Sequence, residues 1–241
     1  MTIEDRAVLV TGANRGIGKA LVEEALKRGA KRVYAGTREP LAHADARVRP
    51  VLLDITDSEQ TLAVAEQVES LDILINNAGV SLPDDLSDRG ALERHLAVNL
   101  YGTYGVTQAF LPQLRESRGA IVNVLSLAAF ASVPILPAYS VSKAAAFSLA
   151  QSLRALLAAQ GVRVHAVMPG PVDTDMTRGL DIPKSSPDSV ARAIFDGVQN
   201  DEEEIFPDVM SAAMADSWRS GAVKALEREN AALLRAAPAA A

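Results

Sequence analysis

The sequence predicts an α/β fold, a doubly wound parallel sheet with helices on both faces. Short apolar runs of strand length alternate with helical patterns along the chain, which is the arrangement of βαβ units. The first of these runs passes through a glycine-rich turn directly into an amphipathic helix. With 241 residues and 49% hydrophobic content the chain can bury one sizeable core. No linker or charge block divides it, so 1–241 reads as a single domain.

Residues 7–10, Ala-Val-Leu-Val, form a short apolar run ending at Thr11 and Gly12, the mark of a buried parallel strand. The helix after the glycine turn runs through Arg28 and is stopped by Gly29. Strands follow over 32–36 and 48–53. Thr56, with Glu59 three residues on, fits a capping box and predicts a helix that ends near Glu69. A fourth strand covers 71–75. A long helix is expected over 91–118, bent or shortened at Pro112. Strand five covers 120–125, a helix 139–160, and strand six 162–168. Ser186, Pro187 and Asp188 place cap, proline and acid in the order that opens a helix. The alanine-rich stretch 231–241 reads as a frayed tail.

Composition narrows the function. There are no cysteines, which excludes disulfides, thiol nucleophiles and thiolate metal sites. His43, His95 and His165 have no ligand spacing, so no metal site is read, and His165 is expected to be a packed strand residue. A net charge of −6 argues against nucleic acid as a partner. No apolar run approaches a membrane span, and the first residues lack a signal-peptide layout, so a cytoplasmic location is expected.

Two constellations carry chemistry. Gly12, Gly16 and Gly18 lie between a strand and a helix, where backbone N–H groups and the helix dipole favour a pyrophosphate. Tyr139 and Lys143 are four residues apart on a predicted helix, neighbours on one face. Acid–base work by a tyrosine near neutral pH needs its pKa lowered by roughly 3 units, about 4 kcal/mol. A lysine about 5 Å away, at an effective dielectric near 20, supplies roughly 3 kcal/mol.

Together these stretches resemble the short-chain dehydrogenase/reductase family. Thr11 to Gly18 matches its T-G-x-x-x-G-x-G loop, residues 76–79 its N-N-A-G, and Tyr139 with Lys143 its Y-x-x-x-K. Ser126, 13 residues before Tyr139, stands at the place of the catalytic serine, Asn99 at that of the fourth catalytic residue, and Pro169-Gly170 at another motif. The match runs from Val8 to about Thr174, and the last sixty-odd residues fit only loosely. One departure is Leu125 beside Ser126, where the family often has a second serine.

The resemblance implies a Rossmann-like sheet of about seven strands in the order 3-2-1-4-5-6-7. It implies hydride transfer between a nicotinamide cofactor and a carbonyl or alcohol, with Tyr139 as general acid/base. Lys143 would lower the Tyr139 pKa and hold the cofactor ribose, Ser126 would bond the substrate oxygen, and Asn99 would hold a water in a proton relay. It places the cofactor on Gly12, Asn14, Arg15, Gly16, Ile17, Gly18, Thr37, Arg38, Asp54, Ile55, Asn77, Ala78, Gly79, Tyr139, Lys143, Pro169, Gly170, Val172 and Thr174, with Asp54 at the adenine edge. Strand two ends Ala35-Gly36-Thr37-Arg38, with Thr37 where NAD enzymes usually carry an acid. Arg15 and Arg38 then suit a 2′-phosphate, so NADP(H) is expected over NAD(H).

The expected substrate is a neutral, apolar ketone or aldehyde, met by Val80, Leu82, Leu127, Phe130, Leu136, Met176 and Leu180, with Asp84, Asp85, Asp175 and Arg178 at the rim. The stretch 173–186 reads as a lid, extending over about 175–190. The helix after Tyr139 is apolar around most of its circumference, so a second subunit is expected to cover one face, giving a homodimer or homotetramer. Alternatives of another class are a non-catalytic NADP-binding redox sensor, which has no use for an intact Ser126–Tyr139–Lys143 set, and an NAD-dependent alcohol dehydrogenase. Epimerases or dehydratases of related fold usually carry a longer substrate domain.

Overall fold

The structure is a computed structural model describing residues 1–236, with side chains through 234. Its sheet is built from β1 (Ala7–Thr11), β2 (Arg32–Thr37), β3 (Val48–Leu52), β4 (Ile73–Asn76), β5 (Ala120–Val124), β6 (Arg163–Val167) and β7 (Glu204–Ile205). All pairings are parallel and the order is β3-β2-β1-β4-β5-β6-β7, as expected.

The two-residue period of a strand sends alternate side chains to opposite faces, and both faces are covered. Val8, Val10, Val33, Ile73 and Ile75 pack under α1 (Gly16–Lys27) and α6 (Pro187–Gln199), through Leu21, Ala25, Ile194 and Phe195. Leu9, Leu74, Ile121 and Val164 face the other layer. That layer holds α2 (Ser58–Gln67), α3 (Arg89–Leu96), α4 (Thr103–Ser117) and α5 (Pro137–Leu157), with Phe110, Leu114, Phe147 and Leu153 inward.

Local chemistry sets the ends of these helices. The amides of Gly29 and Ala30 close α1 on the carbonyls of Leu26 and Ala25. Asp57, not Thr56, caps α2, accepting from the Gln60 amide at 3.0 Å. Thr56 instead gives its amide and hydroxyl to Asp54, which removes it from the helix end. Ser186 caps α6 by accepting from the Ser189 amide.

The helix expected over 91–118 is interrupted. Residues Ala97–Gly102 form a π turn between α3 and α4, and Asn99 lies within it. Pro112 does not end α4, which continues to Ser117. Pro112 and Gln108 are both exposed, so water can meet the carbonyl that proline leaves without a donor.

The region beyond β7 is helical: α7 (Val209–Ala212), α8 (Ala215–Arg219) and α9 (Ala222–Ala236). The tail expected to fray from 231 is therefore helical through 236, and 237–241 lie outside the described residues. Long-range contacts invisible in the local pattern hold this segment in place. Trp218 stacks on Phe130 at 4.1 Å and 19°, and meets Phe147 edge-on at 5.6 Å. Lys224, 1% exposed, bonds Glu203, Glu204 and Glu227 at 2.8, 2.9 and 3.0 Å, and Arg154 of α5 bonds Glu204 at 2.8 Å.

Part of the apolar surface of α5 that suggested a second subunit is thus covered by the chain's own C-terminal helices. Val141 and Leu156 remain exposed on it. Among the described residues, no helix is long and apolar enough to cross a membrane.

Removing one partner from a buried charge cluster strands the others. Lys224→Ala is expected to lower stability by about 3–5 kcal/mol, measured by urea denaturation. A change below ~1 kcal/mol would show that the C-terminal helices do not depend on this cluster.

Candidate active site

The site begins where β1 ends. At Gly12 the backbone has φ +67°, and a Cβ there would lie 3.0 Å from the Ala78 Cα. At Gly18 a Cβ would lie 2.1 Å from the Gly12 carbonyl oxygen, a distance that excludes any side chain. Arg15 precedes α1 in an extended conformation and offers its first turn no side-chain acceptor. The opening N–H groups of α1 therefore face a glycine cradle without a capping side chain, which fits a pyrophosphate. The cradle lies at the carboxyl ends of β1 and β4, where the strand order reverses.

Thr11 and Asn77 tie the cradle to the loop after β4. The Thr11 hydroxyl accepts from the amides of Asn77 and Ala78, both at 3.0 Å. Asn77 Nδ2 donates back to the carbonyls of Thr11 and Gly12, at 2.9 and 3.2 Å. The amide of Asn77 thus holds the loop, while Asn14 is exposed and Ile17 packs against the core under α1.

The other residues expected at a cofactor surround this cradle. Thr174 reaches Gly16, where a Cβ would meet its Cγ2 at 3.1 Å, and Val172 is buried behind it. Thr37 is 3% exposed and donates its hydroxyl to the Glu39 carbonyl at 2.6 Å, so that proton is not offered outward. Arg38 is exposed, and Arg15 bonds Asp175 at 3.1 Å. The Thr56 amide and hydroxyl hold the Asp54 carboxyl below its usual range, and Arg38 adds to the effect. Ile55 is buried beside it. Gly79 lies beside Asn99 and Lys143. Pro169 accepts from the Leu127 amide at 3.0 Å, and the Gly170 amide donates to Asp208 at 2.8 Å.

The fold brings Ser126, Tyr139, Lys143 and Asn99 to this same edge. Ser126 follows β5 and accepts from the Ala128 amide at 3.1 Å. Lys143 Nζ is 5.7 Å from the centre of the Tyr139 ring and donates to the Val124 carbonyl at 3.0 Å. The electrostatics differ from the expectation that Lys143 lowers the Tyr139 pKa. Burial dominates and raises the phenol above its ordinary value, while the Ser126 hydroxyl acts in the opposite sense. Lys143 is itself desolvated, and its pKa falls to about 8. The simple Coulomb sum left out this shared desolvation cost.

Asn99 is fully engaged. Its Oδ1 accepts from the Val80 amide, and its Nδ2 donates to the Val80 carbonyl and to Ser142 Oγ, each at 2.9 Å. Both N–H groups of the side-chain amide are thus used within the protein. His95, one turn earlier and fully buried, meets the Tyr139 ring edge-on at 6.4 Å and 71°. Sequence reasoning missed it, although the four-residue spacing to Asn99 put both on one helix face. It also missed Asp208, which lies beyond the matched motifs.

On the substrate side, Leu82, Met176 and Leu180 are exposed around the opening. Val80, Leu127 and Leu136 are half-buried there. Phe130 belongs to the Trp218–Phe147 aromatic cluster, so it backs the wall. Met210 approaches from the C-terminal segment, 3.3 Å from a Cβ placed on Gly170. Asp84 is not a rim charge, since it accepts from the Ala138 amide at the start of α5. The stretch 173–186 is pinned at both ends by a bridge between Val172 and Ser185. It contains a 3₁₀ turn, Asp175–Thr177, whose Asp175 bonds both Arg15 and Arg178. His165 is buried, as expected, with Nδ1 on the Glu202 carbonyl.

A buried lysine with a depressed pKa destabilises the fold. Between pH 8 and 10.5 the unfolded chain keeps the Lys143 proton that the folded chain has lost, so this cost fades as pH rises. Relative to a Lys143→Met variant, the wild type should gain about 3 kcal/mol across that window, read from urea denaturation at several pH values. Parallel pH profiles would refute a buried, depressed lysine.

Comparison with known proteins agrees with this geometry. Residues 6–184 match the family model described as short chain dehydrogenase. An uncharacterized oxidoreductase of Staphylococcus saprophyticus is 33% identical over 216 residues, 82% of this chain and 92% of that protein. A crystal structure of a short chain dehydrogenase from Burkholderia cenocepacia in complex with NADP is 37% identical. It superposes with a TM-score of 0.87 over 95% of this chain and 98% of that one. The ligand-free aldohexose dehydrogenase of Thermoplasma acidophilum is 27% identical, with a TM-score of 0.72 over 80% of this chain and 86% of that one. The chain belongs to the short-chain dehydrogenase/reductase family and is an oxidoreductase of that family.

Proposed function

We propose that this protein is an NADPH-dependent carbonyl reductase, reversible as an alcohol dehydrogenase. The observation that carries the reading is the convergence of Ser126, Tyr139 and Lys143 on the edge of the sheet that holds the glycine cradle. Bound in that cradle, the nicotinamide cofactor supplies the hydride. The Tyr139 phenol gives its proton to the substrate oxygen during reduction and recovers it during oxidation. The Ser126 hydroxyl donates a hydrogen bond to that oxygen as negative charge develops on it. Lys143, whose Nζ lies 5.7 Å from the Tyr139 ring centre, holds the ribose.

Desolvation raises the phenol above its ordinary value, so it stays protonated and is present as the acid that the reductive direction needs. The exposed apolar rim of Leu82, Met176 and Leu180 supports a neutral, hydrophobic ketone or aldehyde over a sugar phosphate or carboxylate. The preference for NADP(H) rests on exposed Arg38 and Arg15, on the absence of an acid at the end of β2, and on similarity to a relative solved with NADP. A homo-oligomer is supported by the apolar side chains left exposed on the outer helices, Tyr104 of α4 and Val141 and Leu156 of α5. We place the protein in the cytoplasm.

Tyr139→Phe keeps the ring and removes the proton donor. Turnover should fall by at least ~10²-fold while NADPH binding, followed by cofactor fluorescence, stays intact. Turnover close to wild type would sink the assignment. Arg38→Ala removes one charge-assisted contact to the 2′-phosphate and should weaken NADPH about ten-fold without affecting NADH. Equal losses for both cofactors, or a wild-type preference for NADH, would overturn the choice of NADP.

A further inference from the structure

We propose that His95 is a positioning residue, whose neutral imidazole fixes the substrate wall at residues 80–82 and braces the ring of Tyr139. The inference rests on the reductase reading for its kinetic consequence, though not for its geometry.

The partners of the ring determine its state. Nδ1 lies 2.7 Å from the Ala91 carbonyl oxygen, which only accepts, so Nδ1 carries the proton. Nε2 lies 3.0 Å from the Leu82 amide, which only donates, so Nε2 must keep its lone pair. An imidazolium would set a proton against the Leu82 N–H, and the other tautomer would fail at both ends. One bond anchors the ring to its own helix, and the other holds the loop after β4.

Position turns this into a role at the site. Asn99 lies one turn on and grips both backbone groups of Val80, while His95 grips the amide of Leu82. Two side chains on one helix face therefore hold the wall at alternate residues. The same imidazole meets the Tyr139 ring at 6.4 Å and 71°, the edge-to-face geometry of a favourable aromatic pair. Leucine would fill the space equally well and could accept no hydrogen bond.

Two variants and one measurement on the wild type test this. Nitrogen NMR of the wild type should show His95 as the Nδ1–H tautomer, and finding the Nε2–H form would overturn the proposal. In His95→Leu, amide exchange at Leu82 should speed up about ten-fold and kcat/KM for a carbonyl substrate should fall about ten-fold. The NADPH dissociation constant should stay within about two-fold. His95→Gln, which can present an oxygen to the Leu82 amide, should recover most of both losses. The proposal fails if Leu82 exchange is unchanged in the leucine variant, if the two variants lose alike, or if NADPH binding falls as far as kcat/KM. If the leucine variant does not fold, the tautomer and the glutamine variant decide. Exchange and tautomer need no turnover, so a wild type that reduces no carbonyl would refute the reductase reading and leave the His95 result standing.

Discussion

The hydroxyl of Thr11 holds two loops with one oxygen. By accepting from Asn77 and Ala78, it fixes the loop after β4 against the end of β1, and Asn77 returns two bonds to the glycine turn. This cross-tie has to hold before anything beyond it can be accurate. Gly12 can approach Ala78 this closely only because it has no side chain of its own, and Val80 and Leu82 follow within four residues. The glycine cradle and the segment 80–82 are thereby tied into one hydrogen-bonded unit. The spacing between the cradle and this segment is set largely by backbone, with few side-chain rotamers to vary.

Charge is handled in two different ways in this fold. Lys224 is buried among three glutamates, so its charge is compensated and the cluster fixes the C-terminal helices. Lys143 is buried with a backbone carbonyl as its hydrogen-bond partner, and it pays with a lowered pKa. The first arrangement serves stability. The second stores an unfavourable desolvation beside Tyr139, the kind of perturbed group that marks a functional site.

Much of this was legible in the sequence because the information was local. Strand lengths, the glycine turn and the Tyr139–Lys143 spacing follow from neighbours within a few residues, and the order of motifs carried the strand order. What escaped was non-local. Nothing in the pattern around Asn99 announces a π turn, because that turn satisfies side-chain bonds to Val80 and Ser142 that lie 19 and 43 residues away. Thr56 was the expected cap of α2, but Asp54 claims its amide and hydroxyl and Asp57 caps the helix instead. The start of α9 is anchored against α5 through Lys224 and Glu227, contacts that no local pattern announces. The burial that raises the Tyr139 phenol was also out of sight, because a pairwise attraction is visible in spacing and desolvation is not.

Trp218 is the only tryptophan in the chain. It lies face to face with Phe130, four residues from Ser126, and its indole N–H is bonded to Glu204 in the charge cluster. The indole therefore belongs at once to the wall behind Ser126 and to the anchor of the last helices. Tryptophan emission from this protein, excited where its four tyrosines do not absorb, has a single source, placed at the joint between those two regions. Its signal is an optical gauge of whether the C-terminal helices are seated, one that needs no label and no turnover.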